Sequence, residues 1–199
     1  MKVSIKNILN SKTNLNVRFI PDYEVLGDVV RQLKAMGYKI VLTQGVYDLV
    51  HEGHALYLEK ARSYGDILIV GVDSDAFTKA RKGPNRPIVP ETERLKMLVH
   101  FRHVDIVTLR EVHHGMDVSN SLIQIVNPDV LVLSSTTGDL PAGAAKALEK
   151  HCKKVIVLPP QATTSTTARV RKLTLDGADQ FVSILMEKIP QLYRDIFLK

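Results

Sequence analysis

With 199 residues, 45% of them hydrophobic and 24% charged, the chain has the length of one ordinary domain with a short appendage and the balance of a folded globular protein rather than a disordered one. No apolar run approaches the roughly 20 residues that span a bilayer, Met1–Asn16 lacks the apolar core of a secretory signal, and the single cysteine, Cys152, can neither close an internal disulfide nor anchor a cysteine-rich zinc site, which points to a reducing cytoplasm. A net charge of +6 suits a polyanion; the basic residues are scattered apart from Lys79, Arg81, Lys82 and Arg86, and no aromatic-rich RNA-binding stretch exists, so small phosphate-bearing molecules fit better than nucleic acid or a membrane.

Residues 1–21 read as a loosely patterned arm. From Asp22 to Met36, the apolar residues Val25, Leu26, Val29, Val30 and Leu33 recur at helical spacing, and Gly37 stands where a left-handed cap is wanted. A short apolar strand follows at 39–43, a turn through Gly45–Gly53, then a helix at 54–64 stopped by Gly65. Ile67–Val72 is a strand. Residues 82–90, punctuated by Gly83, Pro84, Pro87 and Pro90, read as a loop. Helices are predicted at 91–101, 118–126 and 142–151, alternating with strands at 104–109, 130–133 and 155–158. A Thr/Ser-rich turn leads to a helix from Thr166, and residues 178–197 predict a helix broken at Pro190.

Continuous apolar strands alternating with helices predict an α/β architecture: a single domain over residues 22–175 built on a Rossmann-like, doubly wound parallel sheet, with 176–199 as a helical extension. Ligands of such sheets bind beyond the carboxyl ends of the strands. This directs attention to the residues after Thr43, Val72, Leu133 and Leu158.

After the first strand, Thr43 to His54 reads TQGVYDLVHEGH. His51 and His54, three apart at a helix entrance, share one face. Gly53 between them leaves the backbone open to a phosphate, and the helix start adds unpaired N–H groups and a positive partial charge. Together they form an anion cradle. A metal site is not expected, since no third ligand is evident, and His113-His114 reads as solvated. After the last strand, Thr163-Thr164-Ser165-Thr166-Thr167 offers more hydroxyls than one helix cap uses, which suits a phosphate or ribose contact.

Gly45-Val-Tyr-Asp48 followed by His51-Glu-Gly-His54 resembles the HxGH signature of the cytidylyltransferase-like nucleotidyltransferases. Val72-Asp-Ser-Asp75, Arg102-His-Val-Asp105 and Ser165-Thr-Thr167 resemble three further segments of that family, in order, over about residues 22–173. The helix before the first strand and Lys82-Gly-Pro-Asn-Arg-Pro87 are similar to the heptose 1-phosphate adenylyltransferase subgroup, with glycerol-3-phosphate cytidylyltransferase the next relative. The resemblance implies a HUP-type fold and transfer of AMP or CMP from ATP or CTP, with magnesium, to a phosphorylated sugar or alcohol, releasing pyrophosphate. It implies that His51 and His54, joined by Lys82, are the catalytic groups, and that Gly45, Val46, Tyr47, Gly53, Arg102, Thr163, Thr164, Ser165, Thr166 and Thr167 contact the nucleotide. Asp48, Asp73, Lys79 and Arg81 fall on the acceptor side, with Lys79 and Lys82 in a loop able to close over the anions, and a homodimer is in keeping with the family. The chain departs from the subgroup pattern at Leu133–Asp139, which lacks its lysine and tyrosine, and at Pro160–Thr163, which lacks its arginine and glycine. A nucleotide-binding module with lost catalysis is therefore the alternative reading.

Overall fold

The computed structural model describes residue 5 and residues 15–111, 121–135, 148–162 and 166–197. It divides into two units, Met1–Thr163 and Thr164–Lys199. The sequence reading set that division later, after residue 175.

In the first unit, five strands pair in parallel in the order β3-β2-β1-β4-β5: β1 (Ile40–Gly45), β2 (Ile67–Asp73), β3 (Ile106–Arg110), β4 (Val130–Ser134) and β5 (Val155–Leu158). This is the doubly wound arrangement expected from the apolar runs, and β2 is buried along its whole length, as a strand covered on both faces must be. The helices of this unit are α1 (Leu15–Arg18) and α2 (Tyr23–Ala35), which precede β1, α3 (Glu52–Arg62) after β1, α4 (Asp75–Lys82) and α5 (Glu91–Val99) after β2, and α6 (Ser121–Val126) before β4. Asp22 caps α2 by accepting the N–H groups of Glu24 and Val25, and Gly37 follows at φ +89°, the left-handed conformation its position calls for.

Alternation along the strands sorts the core into two layers. Ile40, Leu42, Ile67, Ile69 and Ile106 meet Leu26, Val30 and Leu33 of α2 and Leu122 and Ile123 of α6. Val41, Leu68, Val70 and Val72 meet Leu58 and Ala61 of α3 and Leu95 and Leu98 of α5.

Three sequence expectations change. The segment 15–20 is no loose arm: Phe19 bridges to Val107 beside β3, Ile20 is buried, and Arg18, 1% exposed, donates to the carbonyls of Val99 (3.0 Å) and Val104 (2.8 Å). Second, Lys79 and Lys82 sit on a helix, α4, and only the residues from Gly83 (φ +93°) onward form the loop. Thr78 is the one buried residue of α4, so the helix carries almost no apolar stripe to betray it. Third, the described residues of the second unit form one helix, α7 (Thr166–Phe197), which runs through Pro190 without a break; a proline removes one backbone donor but does not by itself end a helix. Leu173, Phe181, Met186 and Ile189 of α7 are exposed. The predicted helix over 142–151 falls partly outside the described residues, which end it in a single 3-10 turn, Glu149–His151. Cys152 is buried, its thiol donates to the Leu148 carbonyl, and burial pushes its pKa up, as befits a structural rather than a reactive cysteine.

Candidate active site

At the carboxyl end of β1 the chain turns sharply through Tyr47 (φ +54°) and Leu49 (φ +45°), both in the left-handed region that costs a non-glycine residue energy. The turn delivers His51 to the N-cap position of α3. His51 Nδ1 accepts the Gly53 N–H at 3.1 Å, and His54 Nδ1 accepts the His51 N–H at 3.3 Å, so each imidazole caps the helix with the same ring nitrogen. A nitrogen that accepts a backbone hydrogen bond carries no proton, so the neutral rings hold theirs on Nε2, on the far side from the backbone. The rings lie 4.0 Å apart at 37°, with Tyr47 5.5 Å from His54. A Cβ on Gly53 would stand 2.9 Å from His51 Cε1 and 3.1 Å from Ala162 Cβ, the latter just beyond β5. The glycine therefore secures the ring's position and brings the β5 exit beside the histidine cap.

Tyr57, one turn further along α3, fixes the helix to the sheet. Its buried hydroxyl lies 2.7 Å from Thr43 Oγ1 on β1 and donates to the Val132 carbonyl on β4 at 3.1 Å, and burial pushes its pKa up to about 12.

Asp48, 2% exposed, accepts the N–H groups of Ile88 (3.0 Å) and Val89 (2.9 Å) and pairs with Arg86 at 3.2 Å. Arg94, fully buried in α5, donates to the Val46 carbonyl (2.5 Å), to the Val89 carbonyl (2.9 Å) and to Asp75 (2.7 Å). These two residues join the histidine turn, the loop after α4 and the start of α4 into one block. Asp48 thus braces the loop against the histidine turn. Asp73, 1% exposed, is likewise engaged by protein partners, Arg81 and Arg110, each at 2.8 Å, and both guanidiniums lie over the Phe77 ring.

Lys82 reaches solvent at the end of α4, yet partial desolvation, followed by repulsion from Arg81 and Arg86, holds its ammonium below the usual lysine range. Lys79 is exposed on the same helix. Arg102 is not brought to the histidines. It is exposed in the turn before β3, whose Asp105 accepts the Leu68 N–H at the start of β2 and pairs with Arg62 at the far end of α3. Parallel strands put the starts of β2 and β3 at the opposite edge of the sheet from the end of β1. Gly45 ends β1, Val46 and Tyr47 lie in the turn itself, and Gly53 is the second residue of α3. Thr163, Thr164 and Ser165 lie outside the described residues; Thr166 and Thr167 begin α7. Among the described residues no group of three or more His, Cys, Asp or Glu side chains is arranged to hold a metal ion.

Sequence reasoning overlooked Arg94, Arg110 and Tyr57. Arg94 shares the inward stripe with Leu95 and Leu98, and Arg110 follows Ile106 and Thr108 at strand spacing, so their facing was readable although their partners were not.

A parallel sheet whose first strand ends in a paired-histidine helix cap defines a class, and the sequence matches the cytidylyltransferase-like family over residues 42–194. The chain belongs to that family. It is 37% identical to the bifunctional protein HldE of Nitratiruptor sp. over 155 residues, 77% of this chain and 32% of that protein, and 50% identical to HldE of Helicobacter pylori over 94 residues, 47% of this chain and 19% of that protein. The chain thus spans about a third or less of the length of these relatives. Among solved structures it is similar to the lipopolysaccharide core biosynthesis protein of Thermoplasma volcanium, with 30% identity, a TM-score of 0.51, and coverage of 61% of this chain and 97% of that one. The fold is also shared with pantoate-beta-alanine ligase of Francisella tularensis, at 17% identity and a TM-score of 0.54 over 71% of this chain and 66% of that one.

Proposed function

We propose that the chain is a nucleotidyltransferase that moves AMP or CMP from ATP or CTP to a phosphorylated sugar or alcohol. An oxygen of the acceptor phosphate attacks the α-phosphorus, the bond from that phosphorus to the bridging oxygen breaks, and pyrophosphate leaves. The reaction needs no covalent enzyme intermediate, so positioning and electrostatics supply its acceleration.

The observation that carries this reading is the tautomer lock. With both Nδ1 atoms accepting from the backbone, His51 and His54 offer two neighbouring Nε2–H donors at a strand-to-helix junction. Donors fixed before the substrate arrives pay no reorganisation when charge develops on the α-phosphoryl oxygens and the departing pyrophosphate. Lys82, raised to the same carboxyl edge by α4, adds a cation for the triphosphate. Magnesium accompanies the triphosphate, whose own oxygens supply most of its ligands. The relatives named as bifunctional HldE and as a lipopolysaccharide core biosynthesis protein favour a sugar phosphate as acceptor. The described helices include none long and apolar enough to cross a membrane, and a cytoplasmic setting suits these substrates.

The test is pyrophosphate release from ATP or CTP with a panel of sugar and alcohol phosphates, in the wild type and in His54→Ala. Release that needs both substrates and falls by about a hundredfold or more in the variant supports the reading. Tight triphosphate binding without release for any acceptor assigns a binding module instead.

A further inference from the structure

The carboxyl edge of the sheet carries a second polar cluster, on the face opposite the histidines. Val72 and Leu109 pack with the α3 layer, so their neighbours Asp73 and Arg110 point to the other side, where α2 and α6 lie. Thr43 turns toward Tyr57 of α3, so Gln44 points to that other side too. Gln44, Gly71 and Thr108 stand in one register row across β1, β2 and β3.

Arg110 donates to Gln44 Oε1. An arginine has no acceptor, so this contact decides which end of the amide is oxygen and leaves the Gln44 NH2 group as a donor. That Nε2 is buried and, among the described residues, has no hydrogen-bond partner. Thr108 Oγ1, fully buried, and Ser121 Oγ, in a residue 8% exposed, are in the same position. Buried donors without acceptors cost free energy, and three on one face at the ligand edge of such a sheet point to a missing oxygen-rich partner. Arg110 shares the Asp73 carboxylate with Arg81. Its positive charge repels an ammonium group and attracts a phosphate.

We propose that Gln44, Ser121 and Arg110, backed by Thr108, form the acceptor subsite, and that it takes a hydroxyl-bearing phosphate ester, a sugar or polyol phosphate, and rejects acceptors with a cationic head. The Gln44 amide donates to a ligand oxygen and Arg110 faces the anion. This rests on the nucleotidyl-transfer reading for its role, but binding tests it separately.

The experiment titrates the whole chain, without nucleotide, with glycerol 3-phosphate, glucose 1-phosphate and phosphocholine by ligand-observed NMR, then repeats it with Gln44→Ala and Gln44→Glu. The glutamate keeps an oxygen toward Arg110 and replaces the donor with a second oxygen. We expect the polyol phosphates to bind at least about tenfold more tightly than phosphocholine, and each variant to lose about tenfold in that affinity while its melting temperature holds. In turnover the acceptor KM rises by the same factor and the triphosphate KM stays within about twofold. Equal binding of phosphocholine, no binding of any ester, or an unchanged acceptor affinity in both variants overturns the subsite. Variant-sensitive binding with no pyrophosphate release by the wild type keeps the subsite and removes the transfer reading; release with an unchanged acceptor KM in the variants does the reverse.

Discussion

Asp48 Oδ1 accepts the main-chain N–H of Val89 at 2.9 Å across 41 residues of chain. With the neighbouring bond from Ile88 and the Arg86 ion pair, this places the loop after α4 against the turn that presents the histidines. The aspartate that reads as a ligand contact in sequence holds two walls of the site together.

Asp48→Ala removes the acceptor of two backbone donors and leaves the Arg86 charge without this partner. The expected loss is about 3 kcal/mol in urea denaturation, since each unmade buried bond costs roughly 1–3 kcal/mol. Limited proteolysis should cut first within 83–90. An unchanged midpoint with a protected loop would show that Arg94 alone maintains the block.

Gly53→Ala tests the histidine placement without touching a histidine. The new Cβ falls 2.9 Å from His51 Cε1, so the ring must turn or the helix start must shift. A displacement of about 1 Å in a catalytic group is able to cost about a hundredfold in rate. We expect kcat to fall by at least about tenfold with a stability loss of about 1–3 kcal/mol, the usual range for overpacking. Normal turnover in a folded variant would mean that the His51 ring is not held where it needs to be for catalysis.

Lys82 has its ammonium pKa lowered by desolvation and by Arg81 and Arg86. As pH rises, Lys82 loses its charge before ordinary lysines do, so its contribution to anion binding is complete below its lowered pKa and fades as pH rises through it. A bound triphosphate favours the charged form and raises the pKa again. Acetic anhydride at about pH 8, well under the ordinary lysine value, should therefore modify Lys82 ahead of exposed lysines such as Lys96 by mass spectrometry, and ATP or CTP should slow that reaction selectively. Labelling no faster than at exposed Lys96 would contradict both the lowered pKa and the proposed contact.

The sheet was legible in the sequence because its strands are short apolar runs, and the helices α2 and α3 because their stripes and caps follow local rules. Gly37 stands at the predicted left-handed position and His51 and His54 at the predicted helix entrance. The α4 helix was hidden because it buries only Thr78. Arg102 was misplaced because a motif gives order along the chain but not the edge of the sheet to which a turn belongs; the Asp105 bond to Leu68 decides that. Arg94 and Arg110 were missed because their meaning lies in partners 48 and 66 residues away, Val46 and Gln44, and no local pattern encodes such distances.

The proposed transfer rests on two imidazoles whose Nδ1 atoms are tied to the backbone and whose Nε2–H groups meet a triphosphate. Nitrogen-15 NMR of histidine-labelled protein, titrated with ATP and with CTP, reads both halves at once. We predict Nδ1 signals of the unprotonated, accepting type for His51 and His54 in the free protein, and Nε2 shifts for these two residues on adding the nucleotide. Protonated Nδ1 atoms in the neutral rings, or a saturating nucleotide that leaves both Nε2 signals unmoved, would contradict it.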